Sequence, residues 1–271
     1  MPINPSPSYH GYDVTDYRGV NPQYGTLADF EALVSAAHAR GVRIILDFVV
    51  NHTSIEHPWF RAARADVTSP YRDYYLWSPT PLDWTRPWDK ATVWHAANGS
   101  YYYGLFGGIM PDLNLRNPHV EAEILDILRT WLARGVDGFR VDAARHLFES
   151  PDGVLTDQPE TFDFVARLRT ALETQYPSVL LIAEAWTGHE TLAPYDDGRG
   201  FHMAFDFELA EAIIKGLNEG NATAFAAAVA SRNTRFRHAD FPAPFLTNHD
   251  MTRVLRTLGG DERKARLAAA L

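Results

Sequence analysis

Segments of two kinds alternate along this chain, and this alternation limits the possible folds more than any other feature. Amphipathic stretches with a helical period, such as residues 26–41, precede short apolar runs rich in β-branched residues, such as residues 42–50. In this first pair, Thr26 is a candidate helix N-cap and Gly41 lies just past the helix. A short, mainly apolar run of this kind is typical of a strand that is buried on both faces. The pattern therefore predicts βα units around a parallel sheet.

The same pattern recurs three more times towards the C-terminus. A final stretch, residues 261–271, has the composition of a further helix. The predicted helix and strand pairs are 120–135 with 137–141, 162–176 with 178–183, and the helical pair 208–217 and 221–232 with 243–247.

The pattern breaks between about Thr53 and Pro118, where Pro, Trp, Tyr, Asp and Gly dominate and neither period is sustained. We interpret this segment as a small irregular subdomain inserted between the βα units. Its aromatic rings could form a compact aromatic core or stack on the apolar faces of sugar rings, and the sequence leaves both roles open. Five of the seven tryptophans lie in this segment, namely Trp59, Trp77, Trp84, Trp88 and Trp94.

Composition excludes several classes of function. The formal net charge is −9 at pH 7 and there is no run of Lys or Arg, so the chain lacks the phosphate-neutralising surface of a nucleic-acid binder. It contains no cysteine, which excludes disulfides, thiol catalysis and zinc–thiolate sites. No apolar run approaches the roughly 20 residues of a membrane span. We therefore expect a neutral or cationic substrate, and neither nucleic acid nor a membrane as partner.

When four successive strand candidates are taken as VRIILD, GFRVD, LLIAE and FLTNHD, each ends in a carboxylate: Asp47, Asp142, Glu184 and Asp250. A single acid after a strand is commonly a helix cap or a surface residue. Four acids at equivalent positions indicate more, because the C-terminal ends of the strands of a (β/α) barrel converge on the face that carries catalysis. Converging carboxylates without a P-loop or Rossmann glycines suit either metal-assisted chemistry or glycoside hydrolysis by an acid and a nucleophile.

Motifs around these acids resemble the signature regions of glycoside hydrolase family 13, the α-amylase family. DFVVNH, GFRVDAARH, AEAW and FLTNHD match four of its regions in order, and MPDLN matches the fifth at the end of the inserted segment. The opening PINPSPSYHGYDVTDY is similar to the family's second barrel strand and the loop after it. Residues 1–3 are therefore expected to form a strand. Together the matches cover nearly the whole chain.

The resemblance implies a role for each matching residue. Asp142 corresponds to the nucleophile, Glu184 to the general acid/base, and Asp250 to the carboxylate that grips sugar hydroxyls and stabilises the oxocarbenium-like state. Arg140 lies two residues before Asp142, so both side chains are expected on one side of the strand, where a permanent cation favours an ionised nucleophile. The other substrate-binding positions are Tyr12 as a stacking ring, Asp13 as a hydroxyl clamp, and His52 and His249 as hydroxyl binders.

A calcium ion is also implied by the resemblance. In the family, an Asn of the first region, an Asp of the fifth and the backbone carbonyl of a His after the nucleophile motif often hold Ca²⁺, which pins the inserted subdomain to the barrel. Asn51, Asp112 and His146 occupy those positions here, and oxygen ligands suit this ion. The alternative is that hydrogen bonds alone hold these residues. Arg145, in the same motif as His146, has no predicted role.

The predicted fold class is α/β, a (β/α)8 TIM barrel with the irregular subdomain inserted after its third strand. Residues 1–52 are expected to form the first part of the barrel, 53–118 the inserted subdomain and 119–271 the second part. Relative to the family, the first strand, the eighth strand and the C-terminal domain are missing. We therefore expect an incomplete barrel that is part of a longer enzyme, because an open parallel barrel would expose two strand edges.

The resemblance implies a retaining hydrolase of the α-amylase type that cleaves α-1,4-glucosidic bonds of starch and maltooligosaccharides. The same three carboxylates also serve α-glucosidases, cyclomaltodextrinases and glucan transferases, so these activities stay open, as does an inactive truncated fragment. A non-catalytic sugar-binding member would be expected to lack one of the three acids. The expected partner is an α-glucan or maltooligosaccharide, the complete protein is expected to be a monomer, and its location, secreted or cytoplasmic, is left open.

Overall fold

The computed structural model describes residues 1–271, which divide into two compact units. The N-terminal unit comprises Met1–Leu180 and the C-terminal unit Leu181–Leu271. Each unit contains parallel strand pairs and helices, so the predicted α/β class is confirmed. None of the helices combines the length and the apolar character that crossing a lipid bilayer requires.

The N-terminal unit contains four α-helices and five strands. Its helices are α1 (Leu27–His38), α2 (Pro58–Ala65), α3 (Pro118–Ala133) and α4 (Pro159–Glu173). Its strands are β1 (Ile45–Phe48), β2 (Trp77–Ser78), β3 (Trp94–Ala97), β4 (Ser100–Tyr103) and β5 (Gly138–Val141). Strands β1 and β5 pair in parallel with Asp47 opposite Arg140, whereas β2, β4 and β3 form an antiparallel sheet in that order. The register between β1 and β5 therefore brings two charged residues of the predicted site side by side.

Helix α1 begins where the sequence supplies a cap, and it packs against α3. The Thr26 side chain accepts a hydrogen bond from the backbone N–H of Asp29, whose carboxylate accepts one from the Thr26 N–H in return. Trp131 of α3 is fully buried, with its ring edge-to-face on Phe30 of α1 at 5.2 Å. The Trp131 indole N–H donates to the backbone oxygen of Tyr17 at 2.8 Å, so this large side chain is buried without an unsatisfied donor.

The first residue of strand β5 is Gly138, and no larger residue fits at this position. A Cβ at this position would lie 2.4 Å from the backbone oxygen of Leu180. The next residue, Phe139, is fully buried, and the backbone N–H of Asp142 donates to the oxygen of Phe48 at the end of β1. The pairing of β5 with β1 thus fixes the position of Asp142.

The inserted segment is more regular than its sequence indicates. It contains α2 and the antiparallel sheet β2–β4–β3, and its two ends pair with each other. The backbone N–H of Thr53 donates to the oxygen of Pro111, and that of Leu113 donates to the oxygen of Asn51. The prediction of an irregular segment missed these strands because two to four residues are too short to show a period of two.

The C-terminal unit carries three short parallel strands in the order β6, β7, β8, where β6 (Leu180–Ala183) begins at the last residue of the N-terminal unit. Strand β7 is Met203–Phe205 and strand β8 is Pro242–Ala243. Helices α6 and α7 pack together through an apolar cluster that includes Leu209, Ile213 and Ala228. The helices are α5 (His189–Leu192), α6 (Phe207–Glu219), α7 (Thr223–Arg235), α8 (Val254–Thr257) and α9 (Glu262–Ala270).

Two expectations about strands were wrong, and one strand was missed. Residues 1–3 form no strand, since Pro2 and Pro5 have no N–H to donate to a ladder, although the oxygens of Ile3 and Pro5 each accept a backbone hydrogen bond. The strand predicted at 243–247 is only the two-residue β8, because Pro244 interrupts it. Strand β7 was not predicted at all, since three residues carry no detectable pattern.

Candidate active site

A cluster of charged and polar side chains lies at the ends of β1 and β5 in the N-terminal unit. Arg140 and Asp142 point to the same side, as their spacing predicts, and Nη1 of Arg140 lies 2.8 Å from Oδ1 of Asp142. The same nitrogen lies 2.5 Å from Oδ1 of Asp47. With the Arg140 side chain 13% exposed, one cation bridges two carboxylates where water screens little. The guanidinium of Arg140 thus places one positive charge between the two carboxylates.

Tyr12 completes the cluster from the opening loop of the chain. Its hydroxyl donates to Oδ2 of Asp47 at 2.7 Å and accepts from Nη1 of Arg140 at 3.3 Å. Burial and the neighbouring Asp47 carboxylate hold the pKa of Tyr12 well above its ordinary value, so the phenol stays protonated. The Tyr12 ring lies under the Arg140 guanidinium, 5.8 Å from it, and nearly parallel to the His10 ring at 6.2 Å. Three of the predicted site residues, Tyr12, Arg140 and Asp142, are therefore brought together.

Asp47 is the member of this cluster that sequence reasoning left without a role. It contacts Arg140 from the neighbouring strand although the two residues are 93 positions apart in the sequence. Both of its oxygens accept hydrogen bonds from the cluster, which makes it an anchor for Arg140 and Tyr12. The sequence indicated Asp47 only through its place at the end of a predicted strand. The register of β1 against β5 is needed to identify Arg140 as its partner.

His52 lies beside this cluster and is almost completely buried. Its Nδ1 lies 2.9 Å from Oδ1 of Asn51, and its ring packs against Phe106 at 5.2 Å. Burial lowers the pKa of His52 to about 4, although the Tyr12 backbone and the Asp13 carboxylate oppose this shift. The imidazole is therefore neutral at neutral pH, in a form that can donate to or accept from a hydroxyl.

Asp13, predicted to clamp a sugar hydroxyl, is also buried and has partners within the protein. One of its oxygens, Oδ1, accepts hydrogen bonds from the hydroxyls of Ser6 and Ser8. These bonds tie the opening loop to the segment that carries Tyr12. Asp13 thus already supports the shape of the loop.

The three predicted calcium ligands lie together. Nδ2 of Asn51 donates to the backbone oxygen of His146 at 2.7 Å. Oδ1 of Asp112 accepts from the backbone N–H of Leu105, but its Oδ2 is buried without a hydrogen-bond partner. Burial holds the pKa of Asp112 well above its ordinary value, although the Leu105 N–H and the Asn51 side chain oppose this shift.

This donor set fits a hard cation. A buried carboxylate oxygen without a hydrogen-bond partner is unusual in proteins, and a calcium ion would satisfy it. Turning the Asn51 amide by 180° would present its oxygen beside the carbonyl of His146. The structure contains no group of three or more His, Cys, Asp or Glu side chains that could hold a metal, and this set relies instead on an amide and a backbone carbonyl.

The structure of the segment after Asp142 shows which residue Arg145 contacts. Ala143 adopts a left-handed conformation, with φ 51° and ψ 38°, which turns the chain sharply after the strand. Arg145 then forms a two-pronged ion pair with Asp157, with Nε–Oδ1 and Nη2–Oδ2 distances of 3.0 and 2.6 Å. Arg145 therefore fixes the loop that follows the predicted nucleophile.

The remaining predicted residues belong to the C-terminal unit. Glu184 directly follows β6 and is half-buried. The expectation that Asp250 ends a strand was wrong, because it lies in a turn well beyond β8, with its backbone N–H donating to Oδ1 of Asn248. Its Oδ2 lies 3.2 Å from Nε2 of His249, and its side chain is 49% exposed.

Comparison with known proteins identifies relatives along the whole chain. Alpha-amylase 3 from Dictyoglomus thermophilum is 39% identical over 274 residues, which cover 100% of this chain and 52% of that protein. Trehalose synthase from Pimelobacter sp. is 39% identical over 222 residues, which cover 73% of this chain and 37% of that protein. The crystal structure of the α-amylase from H. orenii superposes with a TM-score of 0.90 at 44% identity, over 100% of this chain and 55% of that chain.

The chain spans about half the length of the two α-amylases that it matches from end to end. The family model described as alpha amylase, catalytic domain, matches residues 1–271. The fold is accordingly similar to that of the (β/α)8 barrels in this family. On these grounds the chain belongs to the α-amylase family of glycoside hydrolases, family 13.

Proposed function

We propose that the protein is a retaining hydrolase of the α-amylase type, which cleaves α-1,4-glucosidic bonds in starch and maltooligosaccharides. The observation that carries this proposal is the ion pair between Arg140 and Asp142, supported by Asp47 and Tyr12. A carboxylate that is kept ionised and oriented at the end of a strand has the properties of a nucleophile for an anomeric carbon.

In the proposed reaction, Asp142 attacks the anomeric carbon while Glu184 gives its proton to the departing glycosidic oxygen. A glycosyl ester on Asp142 results. Glu184 then removes a proton from water, the water oxygen attacks the same carbon, and the Asp142 carboxylate is released. Two inversions restore the α-configuration. The proposed contacts to the reacting sugar come from Asp250, Tyr12, Asp13, His52 and His249.

Replacing the nucleophile tests this assignment in the full-length protein. Asp142→Asn changes the shape of the side chain little but removes the negative charge, so turnover of maltoheptaose should fall at least about 1000-fold. The matched control is Asp152→Asn, the same change at an exposed carboxylate that contacts Ser150. Activity of the Asp142→Asn variant within tenfold of the parent would refute the nucleophile.

Product analysis tests the activity itself. Soluble starch should yield maltooligosaccharides, and proton NMR of the first product should show the α-anomer. Glucose released from maltose without cleavage of starch would identify an α-glucosidase instead, and rapid opening of cyclodextrin a cyclomaltodextrinase. The proposal would be refuted by a protein that folds but cleaves none of these substrates. A β-anomer as the first product would also refute it.

Glycosyl transfer is the second candidate, because the relative that covers 73% of this chain is a trehalose synthase. In transfer, a sugar hydroxyl takes the place of water in the second step. The same incubation separates the two reactions. Trehalose formed from maltose, or oligosaccharides longer than the substrate at early times, would favour transfer over hydrolysis.

We further propose that Asn51, Asp112 and the backbone carbonyl of His146 bind a calcium ion, which would join the inserted segment to the rest of the N-terminal unit. A bound ion stabilises the folded state by mass action. The melting temperature should therefore rise with added CaCl₂ and fall with chelator, and Asp112→Asn should abolish this dependence. If hydrogen bonds alone hold the site, the melting temperature will not change with calcium in either the parent or the variant.

A further inference from the structure

The five tryptophans of the inserted segment differ in their burial, which the sequence did not indicate. Trp94 is buried, and Trp59, Trp77 and Trp84 are half-buried against neighbouring aromatic rings. Each of these four rings packs against at least one other aromatic ring. Trp88 differs from them, because it is 51% exposed. An aromatic core therefore accounts for four of the rings but not for the fifth.

Trp88 is fixed in place although it is exposed. Its ring packs nearly parallel to Phe106, with centroids 5.6 Å apart and an angle of 29°. The edge of His146 contacts it at 5.8 Å, and the Arg86 guanidinium lies 5.6 Å from its centroid. Asp89 holds that guanidinium, with an Nη2–Oδ2 distance of 2.7 Å. Supports of this kind reduce the entropy that an exposed ring would lose on binding a ligand.

The polar edge of Trp88 makes no hydrogen bond with the protein. By contrast, the indole N–H of Trp77 donates to the backbone oxygen of Arg72 at 2.9 Å, and that of Trp131 donates to Tyr17. Trp88 thus combines an exposed aromatic surface with an indole N–H that has no hydrogen-bond partner in the protein. A sugar ring requires this combination, because it has an apolar C–H face and a rim of hydroxyls.

The position of Trp88 relates it to the predicted site. Phe106, which supports Trp88, also packs against His52 at 5.2 Å. One aromatic ring therefore separates Trp88 from a residue that we expect to contact the sugar at the cleavage point. A glucan chain that extends from that sugar towards Phe106 would bring its next units near Trp88.

We propose that Trp88 is a stacking platform for a glucose unit of a long α-glucan, outside the subsite in which the bond is cleaved. Arg86 and the indole N–H of Trp88 lie where they can donate to the hydroxyls of that unit. This inference rests on the proposed glucan-cleaving function. It adds a preference for longer chains, set by the inserted segment.

Two substitutions at Trp88 separate stacking from simple apolar packing. Trp88→Phe keeps a flat aromatic face, whereas Trp88→Leu keeps apolar volume without one. In the full-length protein, Trp88→Leu should lower the ratio of kcat/KM for maltoheptaose to kcat/KM for maltotriose by about 3- to 10-fold. Trp88→Phe should lower it by about twofold or less. The matched control is Tyr24→Leu, at another exposed aromatic residue of the N-terminal unit, which should leave the ratio unchanged.

The outcomes distinguish the platform from the function on which it rests. If Trp88→Leu lowers kcat/KM equally for both substrates, Trp88 only supports Phe106 and His52, and the platform is wrong. An unchanged ratio with an active parent also overturns it while the proposed function stands. The affinity of maltoheptaose for Asp142→Asn, measured by calorimetry with and without Trp88→Leu, gives a reading without turnover. A parent that neither cleaves nor binds maltoheptaose would overturn both proposals.

Discussion

Asp142 and Asp250 are predicted to serve the same reaction, but their own units hold them in different ways. Asp142 follows a strand with a paired neighbour, its side chain is 10% exposed, and it contacts a cation that a second acid fixes. Asp250 lies in a turn after a two-residue strand, and it forms an ion pair with the neighbouring residue His249.

Of these two acids, only Asp142 is part of the structural framework of its unit. Charges buried together depend on one another, so removing one leaves the others uncompensated. An exposed acid in a turn can be changed with little effect on folding. Substitutions in the Asp47–Arg140–Asp142 cluster should therefore alter stability and activity together, whereas substitution of Asp250 should alter activity alone.

The largest effect is expected from Arg140→Met, which removes the cation that bridges Asp47 and Asp142. The free energy of unfolding should fall by about 3–5 kcal/mol, measured by urea denaturation. The control from the C-terminal unit is Arg263→Met, where an exposed pair with Asp261 is removed and the change should stay below about 1 kcal/mol. An equal decrease in the free energy of unfolding in the two variants would contradict the proposed difference between the two units.

Acidification should give the next largest effect, through a histidine of the N-terminal unit. His57 caps α2 and is buried, and burial lowers its pKa to about 4, with Asp16 opposing this shift and Arg18 reinforcing it. Because the unfolded chain takes up this proton near pH 6.5 and the folded chain only near pH 4, stability falls as the pH decreases through that window. The loss attributable to His57 should be on the order of 2–3 kcal/mol.

Comparison with His57→Asn measures this contribution, since asparagine can also cap a helix. The difference in unfolding free energy between pH 7 and pH 4.5 should be smaller in the variant than in the parent. An identical pH dependence in both proteins would show that His57 is accessible to protons in the folded state. Native-state hydrogen exchange would assign the loss to the N-terminal unit.

The smallest change in stability is expected from Asp250→Asn. Its unfolding free energy should lie within about 0.5 kcal/mol of the parent, while turnover of maltoheptaose falls at least about 100-fold if Asp250 grips the reacting sugar. The same change at Asp142 should cost about 1–3 kcal/mol, because it removes a charged partner of Arg140. A loss of stability in Asp250→Asn as large as that in Asp142→Asn would show that the turn is structurally important.

Much of the architecture could be read from local sequence patterns. The helices α1, α3, α4, α6 and α7 and the strands β1, β5 and β6 lie where periodicity and caps predict them, because each pattern spans enough residues to be recognised. Strand β7 and the sheet of the inserted segment escaped prediction, since their strands contain four residues or fewer. Their position depends on pairing with distant segments, which no local pattern reports.

The motifs by themselves determined the family, the chemical types of the candidate residues and the place of Asp142 at the end of an apolar strand. Only the tertiary structure decided that Asp47 anchors Arg140, that Arg145 pairs with Asp157, and that Trp88 is exposed whereas Trp94 is buried. The physical reason is that burial and ion pairing depend on which surfaces meet. Local sequence sets the direction of a side chain, whereas the fold sets what it contacts.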